Sequence, residues 1–432
     1  MIENKDDICG ISDKLISEAS KDEILKNLIC SLNGKDYNKK EIVVGEGYEL
    51  VKLGDICTFL QKSKRNASFG KSIGKYNFYT SSDKVQKCDI ADYNEESLII
   101  GDGGVANIKI DNIFSCSDHN HIINTKYNKY IFYLISGNMN FLIDGFSGSV
   151  LKNLSKTYLQ KLELPIPKSK QKITEWVNKI SKPYDKKNKN EELIMKLEND
   201  AKNKVIKIIE EECDEVELDS ICEFKSGKFN TCNMDNKGPY PFYNATINSI
   251  GFHSEYCFDD NKYILLIKSG NVNANGLGSV TKVKGKIACV TDVVQIKSNI
   301  NIDYLCIILE LIKDKIRKTS NNSVGLGHLK ISEVKKLKIK IPKNKKLIKD
   351  LDPLFQEIEK LHSEMKEAES QYKKLIKELS EEAIPSNKQI EIKIDNETNE
   401  LSEESNENII IETSEKKPKI IKNKVKTKSN VI

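Results

Sequence analysis

The sequence predicts an α+β protein in which two repeated β-rich domains are separated by, and followed by, long coiled-coil helices. The first observation is an internal repeat, since Val51–Phe59 returns as Val216–Phe224 and Leu162–Lys168 returns as Leu337–Lys343. The second is a heptad pattern of apolar residues over Leu354–Leu379. The repeat is much longer than the roughly 20–50 residues of a solenoid unit, so it predicts two globular heads.

The repeat and the charged, helix-prone segments divide the chain into six predicted parts. Each head is long enough to bury a core of ordinary size. In chain order the parts are a helical N-terminal extension (1–45), head 1 (46–168), spacer helix 1 (169–212), head 2 (213–343), spacer helix 2 as a coiled coil (344–384) and a disordered charged tail (385–432).

Short strands are predicted to dominate both heads. Apolar runs such as Ser97–Ile100, Tyr263–Ile267 and Ile287–Ile296 are bounded by Gly, Asn and Asp, as is typical of strands that end in turns. One apolar run with helical spacing occurs in each head, at Lys129–Gly137 and at Asp303–Lys315. Each head is therefore predicted to be a mixed α+β domain with peripheral helices.

The two spacer helices differ in the quality of their heptads. The second has an unbroken seam, formed by Leu354, Ile358, Leu361, Met365, Ala368, Tyr372, Leu375 and Leu379. The first places Lys187, Glu191 and Glu198 at core positions, and Pro183 is expected to kink it or split it in two. The two helices would most simply pair with each other, and antiparallel pairing would place the heads at opposite ends.

The composition describes a chain with a highly charged surface, with 38% hydrophobic and 31% charged residues and a net charge of +5. The acidic N-terminus lacks the apolar segment of a signal peptide, and no stretch approaches the roughly 20 apolar residues that cross a bilayer. The eleven cysteines contain no C-x-x-C pair, which favours reduced thiols. These observations predict a cytoplasmic protein without a membrane partner.

No catalytic, metal or cofactor site is predicted. The chain lacks a phosphate-binding G-x-x-x-x-G-K-[ST] loop, and it lacks the Asn/Asp-Pro-Pro-aromatic element of a DNA methyltransferase. Gly101–Gly104 lacks the spacing of a dinucleotide-binding loop and is better explained as a turn. Cys116–His121 offers soft and nitrogen ligands, but a zinc site needs a second cluster, which the sequence does not supply.

Several loops have the composition of a DNA-binding surface. Lys and Arg make salt-dependent phosphate contacts, whereas Asn, Gln and Arg can read base edges. The alternative is that these are solvated loops of a chain rich in Lys and Asn. The candidate residues are Lys62, Lys64, Arg65, Lys71 and Lys75 in head 1, and Lys225, Lys228, Asn230, Lys268, Asn271, Asn273 and Asn275 in head 2.

The repeated motifs resemble those of one protein family. Each head opens on the Val51–Phe59 type of motif, continues to an aromatic strand at Tyr76–Tyr79 or Tyr240–Tyr243, closes on an I-P-K segment and enters a helix. Over about residues 46–384 this arrangement resembles the specificity subunit of type I restriction–modification systems. Ser97–Gly104 also resembles the family's strand and glycine turn, from which Leu266–Gly270 of head 2 departs.

The resemblance implies a non-catalytic protein whose two target-recognition domains each read one half of a bipartite site in double-stranded DNA. The helices would set the unread spacer, since Leu354–Leu379 would span about 39 Å, slightly more than one turn of B-DNA. They would also dock methyltransferase subunits, which carry the chemistry, with restriction or translocase subunits as further partners. Two alternatives stay open: an orphan DNA-binding protein that acts without such partners, and a scaffold whose heads bind protein.

Overall fold

The computed structural model describes residues 43–148, 152–230, 234–235, 237–272, 275–321 and 327–385. The predicted extension, apart from residues 43–45, and the predicted tail, apart from Pro385, lie outside the described residues. Within the described residues, no helix is both long and apolar enough to span a membrane.

Head 1 combines short strands with four α-helices and one 3-10 helix, Ala67–Phe69, among its described residues. The strands are β1 (Tyr48–Lys52), β2 (Thr58–Phe59), β3 (Tyr76–Tyr79), β4 (Val85–Cys88), β5 (Ser97–Gly101), β6 (Ile108–Asp111), β7 (Phe114–Cys116), β8 (Asn120–Asn124), β9 (Phe146–Ser147), β10 (Asn153–Leu154) and β11 (Glu163–Pro167). The helices are α1 (Leu53–Ile56), α2 (Asn128–Gly137), α3 (Asn140–Ile143) and α4 (Lys156–Lys161).

Strand β5 lies inside a sheet of order β2-β8-β5-β6, and its position explains its apolar sequence. All five of its residues are buried. Leu98 and Ile100 pack into the cluster that contains α2, whereas Ile99 faces a second cluster with Tyr79 and Phe114. A strand covered on both faces is expected to lack the usual alternation of apolar and polar residues.

Head 2 repeats this plan with longer strands. After the long helix α5 (Lys170–Ile208), its strands are β12 (Cys213–Glu217), β13 (Cys222–Ser226), β14 (Tyr240–Tyr243), β15 (Gly251–His253), β16 (Phe258–Ile267), β17 (Ser269–Gly270), β18 (Val280–Cys289), β19 (Val293–Ser298), β20 (Ser320–Asn321), β21 (Gly327–Leu329) and β22 (Lys338–Pro342). Its helices are α6 (Leu218–Ile221), α7 (Ile302–Leu311), α8 (Lys313–Lys318) and α9 (Ile331–Lys335).

The sheets of the two heads correspond. The first and last strands of each head pair antiparallel, β1 with β11 and β12 with β22. The main sheet of head 2 has the order β13-β19-β16-β18-β14-β15. The run predicted as one strand over Ile287–Ile296 is interrupted, because residues 290–292 form a turn between β18 and β19. The single helical run predicted at Asp303–Lys315 is divided between α7 and α8.

Two long helices connect the heads. After the short helix α10 (Lys346–Lys349), α11 runs from Asp352 to Ala383, and it packs antiparallel to α5. Ion pairs mark the antiparallel direction: Lys172 lies 2.6 Å from Glu382, and Lys186 lies 3.4 Å from Glu364. The heptads of α11 therefore form a seam with a helix of the same chain.

Pro183 does not split the first spacer helix, so of the two expected outcomes the split is wrong. One helix runs from Lys170 to Ile208 with Pro183 inside it. Proline removes one backbone hydrogen bond, but packing on both sides maintains the helix. Ile180 is buried, and the Tyr184 ring packs on Tyr133 of head 1 and Tyr372 of α11 at 5.7 and 5.3 Å between ring centroids.

The predicted seam of α5 is only partly displaced. The residues that are buried as predicted are Ile173, Ile180, Ile194, Ala201, Val205 and Ile208, whereas the other half of the pattern is shifted by one residue. Glu191 and Glu198 are exposed, whereas Asn190 is buried and Leu197 is half-buried. The predicted pattern placed charged side chains in the seam because it followed Val177 and Tyr184 rather than Trp176 and the buried Pro183. The observed register leaves both glutamates in solvent, where a charge needs no buried partner.

The two heads pack on opposite ends of the helix pair. Head 1 shares its core with the start of α5 and the end of α11, through Ile173, Trp176, Ile180, Ile376, Leu379 and Ala383. Head 2 shares its core with the end of α5 and the start of α11, through Ala201, Val205, Ile208, Phe355 and Ile358. The antiparallel pair therefore separates two similar heads and relates them by an approximate twofold.

Candidate DNA interface

In head 1, three loops meet at one edge of the main sheet. Strands β2 and β5 both run antiparallel to β8, so their C-terminal ends lie beside the start of β8. The loops at this edge are residues 60–65, 101–105 and 117–119, which we call rim 1. Backbone hydrogen bonds join them, since Asp102 N donates to His119 O at 3.1 Å and Asp118 N donates to Arg65 O at 2.7 Å.

Head 2 has an equivalent edge, formed by residues 226–230, 268–272 and 290–292, which we call rim 2. Strands β13 and β16 both run antiparallel to β19. The backbone bonds match those of rim 1: Lys268 N donates to Asp292 O at 2.8 Å, and Thr291 N donates to Phe229 O at 3.1 Å. These bonds make Asp102 equivalent to Lys268, and His119 equivalent to Asp292.

The two rims carry different charges at equivalent positions. In rim 1 the Asp102 carboxylate forms an ion pair with Lys62 and lies 3.2 Å from His119 Nδ1. The Asp102 side chain is 11% exposed, whereas those of Lys62 and His119 are 44% and 66% exposed. Asp102 thus orients two exposed nitrogen-bearing side chains. In rim 2 the carboxylate is instead that of Asp292.

Asp292 takes part in a polar network of its own. It accepts a hydrogen bond from Ser269 Oγ at 2.8 Å, and the same hydroxyl lies within hydrogen-bond distance of His328 Nδ1. The network joins the loop after β16 to β21, because Ser269 and His328 are directly opposite each other in the pairing of β17 with β21. Rim 2 therefore presents a different arrangement of donors and acceptors from rim 1.

Arg65 is paired with neighbouring side chains of head 1. Its guanidinium donates to both carboxylate oxygens of Asp92, at 2.5 and 2.8 Å, and lies 3.9 Å from the centroid of the Phe69 ring. The paired guanidinium is the main reason that the pKa of Asp92 is lowered. Because this bidentate pair and the ring stacking occupy much of the group, Arg65 is better suited to shaping rim 1 than to reading a base.

The other predicted cations of head 1 occupy two places. Lys64 lies in rim 1, is exposed and makes no ion pair with any described carboxylate. Lys71 and Lys75 flank the separate β3–β4 hairpin, where Lys71 Nζ lies 2.9 Å from Asp89 and Lys75 Nζ lies 5.0 Å from the Tyr76 ring centroid. The structure therefore brings Lys62, Lys64 and Arg65 together, and it places Lys71 and Lys75 beside a different sheet.

In head 2 one predicted residue, Lys225, lies in β13, and the others follow β13 or β16. Lys225 is exposed and lines an open cavity of about 590 Å³ together with Phe258 and Gln295. Lys228 is also exposed, and its Nζ lies 3.1 Å from Glu255. Asn230, at the end of rim 2, is exposed.

The loop after β16 contributes the remaining predicted residues. Lys268 is half-buried, and Asn271 and Asn275 are exposed. Leu277 N donates to Asn271 O at 2.9 Å, which closes the loop on itself. Asn273 lies outside the described residues. The DNA contacts of all these residues remain predictions.

The structure adds residues that the sequence patterns did not select. Val105 and Val272 are 76% and 67% exposed, and each follows the central strand of its head. An exposed aliphatic side chain has the chemistry to contact a thymine methyl group. The sequence does contain a signal for these two residues: each is an apolar residue inside a Gly/Asn-rich turn, and the two turns are at equivalent places of the repeat.

The histidines considered as metal ligands have other partners. His119 faces Asp102, and His121 Nε2 lies 2.8 Å from Leu154 O. Burial lowers the pKa of His121. Among the described residues, no three His, Cys, Asp or Glu side chains are grouped as metal ligands would be.

Comparison with known proteins identifies the class of the chain. The sequence profile of the family described as type I restriction modification DNA specificity domain matches residues 45–198 and again residues 210–369. The chain therefore belongs to this family. Members of the family recognise DNA sequence, and a specificity subunit is non-catalytic because the chemistry lies in partner subunits. A search of curated proteins found no match.

One solved structure shares the fold, and two others are included for their similarity alone. The S subunit of a type I restriction–modification system from M. genitalium is 18% identical, with a TM-score of 0.53 over 79% of this chain and 97% of that chain. The HsdS subunit from Thermoanaerobacter tengcongensis is 12% identical, with a TM-score of 0.28 over 80% of this chain and 98% of that chain. A structure from work on complex assembly and conformational transition of the type I R-M system is 13% identical, with a TM-score of 0.31 over 79% and 98%.

Proposed function

We propose that this protein reads a bipartite site in double-stranded DNA, with one half-site bound by rim 1 and the other by rim 2. The observation that carries the proposal is the repetition of the same three-loop edge in two heads at opposite ends of one antiparallel helix pair. In this proposal head 1 (46–168) and head 2 (213–343) are the target-recognition domains. The bases between the half-sites are spanned but not read.

The chemistry of the rims supports unequal half-sites. A hydrogen-bond acceptor such as Asp292 favours a cytosine or adenine amino group, whereas exposed cations such as Lys62 favour guanine or phosphate. Because Asp102 and Lys268 occupy equivalent positions with opposite charges, the two rims are expected to select different bases. The proposed target is therefore not a palindrome.

The helix pair supports the spacing part of the proposal. Helix α11 has 32 residues, which corresponds to about 48 Å at 1.5 Å per residue. This exceeds one turn of B-DNA, about 34–36 Å, so two heads at the ends can contact successive grooves on one side of a duplex.

Selection from a library of randomised duplexes tests this function. We expect two short, different motifs separated by a spacer of constant length and random sequence. Replacing residues 213–343 by the second head of another family member should change only one motif. A single continuous motif, or binding that does not weaken steeply with salt, would contradict the proposal.

We further propose that methyltransferase subunits dock on this protein and supply the modification chemistry, with restriction or translocase subunits as further partners. The proposal also implies the cytoplasmic location that the sequence predicts. Co-purification with mass spectrometry should recover a methyltransferase, and host methylome sequencing should show the selected site methylated. If no such subunit is recovered while the bipartite site is still bound, the orphan DNA-binding alternative is the correct one.

A further inference from the structure

Cys257 and Cys289 are neighbouring thiols in head 2. Cys257 immediately precedes β16, Cys289 ends β18, and their Sγ atoms are 3.4 Å apart. Cys257 N also donates to Ile287 O at 2.9 Å, which fixes the two chain segments side by side. Because a disulfide has an S–S length of 2.03–2.05 Å, the sulfur atoms need to approach by about 1.4 Å.

Only one of the two thiols is accessible. Cys257 is half-buried and lines the cavity of about 590 Å³ that also contains Lys225, whereas Cys289 is buried. The hydrogen bond between the thiols lowers the pKa of Cys257 and raises that of Cys289. The accessible sulfur is therefore the better nucleophile, and the buried one is placed to resolve a mixed disulfide.

Rim 2 rests directly on this thiol pair. Lys228 N and Phe229 N each donate to Cys289 O at 3.1 Å. Gly227 passes so close that a Cβ added to it would lie 2.7 Å from Cys289 Sγ. A shift of the Cys289 sulfur or backbone is therefore transmitted to residues 227–229, which include the predicted DNA-binding Lys228.

Head 1 provides an internal comparison. Tyr93 N donates to Phe114 O at 3.0 Å, as Cys257 N does to Ile287 O, and Cys116 pairs with Tyr79 as Cys289 pairs with Tyr243. Head 1 thus has a tyrosine where head 2 has Cys257. The equivalent disulfide is impossible in head 1, so any such modification is specific to head 2.

We propose that Cys257 and Cys289 form an oxidisable dithiol whose disulfide displaces residues 226–230 and weakens recognition by head 2 alone. The oxidant is a low-molecular-weight disulfide. The Cys257 thiolate attacks it and releases one thiolate; the Cys289 thiolate then attacks the Cys257 sulfur and releases the second. Two electrons pass to the small disulfide, and the two protein thiols lose their protons. Disulfide formation is independent of the proposed function, whereas its effect on DNA binding rests on it.

Peptide mapping tests the covalent step. The full chain is incubated with glutathione disulfide at neutral pH, alkylated and analysed by mass spectrometry. We expect a linked Cys257–Cys289 peptide in the native protein and in a control variant, Cys213→Ser, and none in Cys257→Ser. Because the native protein is assayed directly, misfolding of a variant cannot mimic the result. Absence of the linked peptide, or predominance of another pair, would overturn the proposal.

Binding assays test the consequence. The binding of the reduced protein is compared with that of the oxidised protein on two sets of duplexes, each with one half-site randomised. We expect oxidation to weaken discrimination at the head 2 half-site by about tenfold, the effect of one lost bidentate base contact, and dithiothreitol to restore it. Equal loss at both half-sites, or no loss despite a mapped disulfide, would refute transmission through rim 2. If the reduced protein bound no duplex, the proposed function would fail, while the peptide map would still decide the dithiol.

Discussion

Asp303 shows how one residue can organise charge inside head 2. Its carboxylate lies 2.5 Å from Lys262 Nζ and 2.7 Å from Lys282 Nζ, and its side chain is only 8% exposed. Burial by itself raises the pKa of Asp303, but the two ammonium groups outweigh this effect and the pKa is lowered. The ionised Asp303 carboxylate therefore stabilises the folded form of head 2.

Asp303→Asn is expected to lower the free energy of unfolding by about 1.5–3 kcal/mol at neutral pH, because two partly exposed lysines lose a charged hydrogen-bond acceptor, although Lys262 keeps Glu359. Since the folded pKa lies below the unfolded value of about 3.9, this stabilisation is present above that pH and is lost as the pH falls through the folded pKa. Chemical denaturation at several pH values measures it. Lys284→Ala, which removes an exposed pair with Glu359, is the control and should cost below about 1 kcal/mol.

Lys64 is suited to test phosphate contact in rim 1, because it is exposed and makes no ion pair with a described carboxylate. Lys64→Ala is expected to weaken DNA binding for all sequences and to reduce the slope of log affinity against log salt by about one. Lys377→Ala is the control, since Lys377 is 74% exposed on α11 and belongs to neither rim. An unchanged slope for Lys64→Ala would remove Lys64 from the interface.

At the scale of elements, head 1 is fixed to the helix pair by close backbone packing as well as by side chains. Gly137 ends α2, and a Cβ at this position would lie 2.2 Å from Ile376 O of α11. Gly45 N donates to Ala383 O at 3.0 Å, and Tyr48 OH donates to Glu382 at 2.9 Å. The position of rim 1 relative to α11 therefore depends on a contact that tolerates no side chain.

Gly137→Ala is expected to destabilise the protein by about 1–3 kcal/mol, although alanine is the better helix former, because the methyl group would overlap backbone atoms. Gly103→Ala is the control: the nearest atom to its added Cβ is Asn153 Oδ1 at 3.6 Å. Thermal unfolding of both variants checks the prediction. Equal stability of the two would show that α2 and α11 can separate at no cost.

At the scale of the whole molecule, the antiparallel pairing changes the design of a spacer experiment. Shortening α11 alone would mismatch it with α5, since both helices carry core residues of both heads. A matched deletion removes seven residues from each helix, 187–193 from α5 and 363–369 from α11. Removing seven residues shortens a helix by about 10 Å and rotates its packing face by only about 20°.

The matched deletion is expected to shorten the preferred spacer by about three base pairs, at 3.4 Å per pair, without changing either half-site motif. Selection from duplexes with randomised spacer lengths measures this. The single deletion in α11 serves as the control and is expected to unfold the protein or abolish binding. If the matched deletion altered the half-site bases, the helices would not be acting as a spacer.

Local patterns in the sequence were sufficient for the family, the two heads and the α+β class. The heptads of Leu354–Leu379 lie within α11, and the apolar run Ser97–Ile100 lies within β5. Periodicity and turn residues are local properties, so such elements can be predicted without coordinates. The ends of the chain and Asn273 were also assigned from the sequence, but they lie outside the described residues.

The tertiary structure decided which charged side chains can still contact a binding partner and which residues pack against them. The sequence could not show that Arg65 is paired with Asp92, that Asp102 and Lys268 are equivalent, or that Cys257 meets Cys289. In each case the partners are distant in sequence and are brought together by strand pairing. The sequence by itself therefore determined a repeated, two-headed DNA-specificity protein, whereas the difference between its two rims arises from contacts that only the folded chain creates.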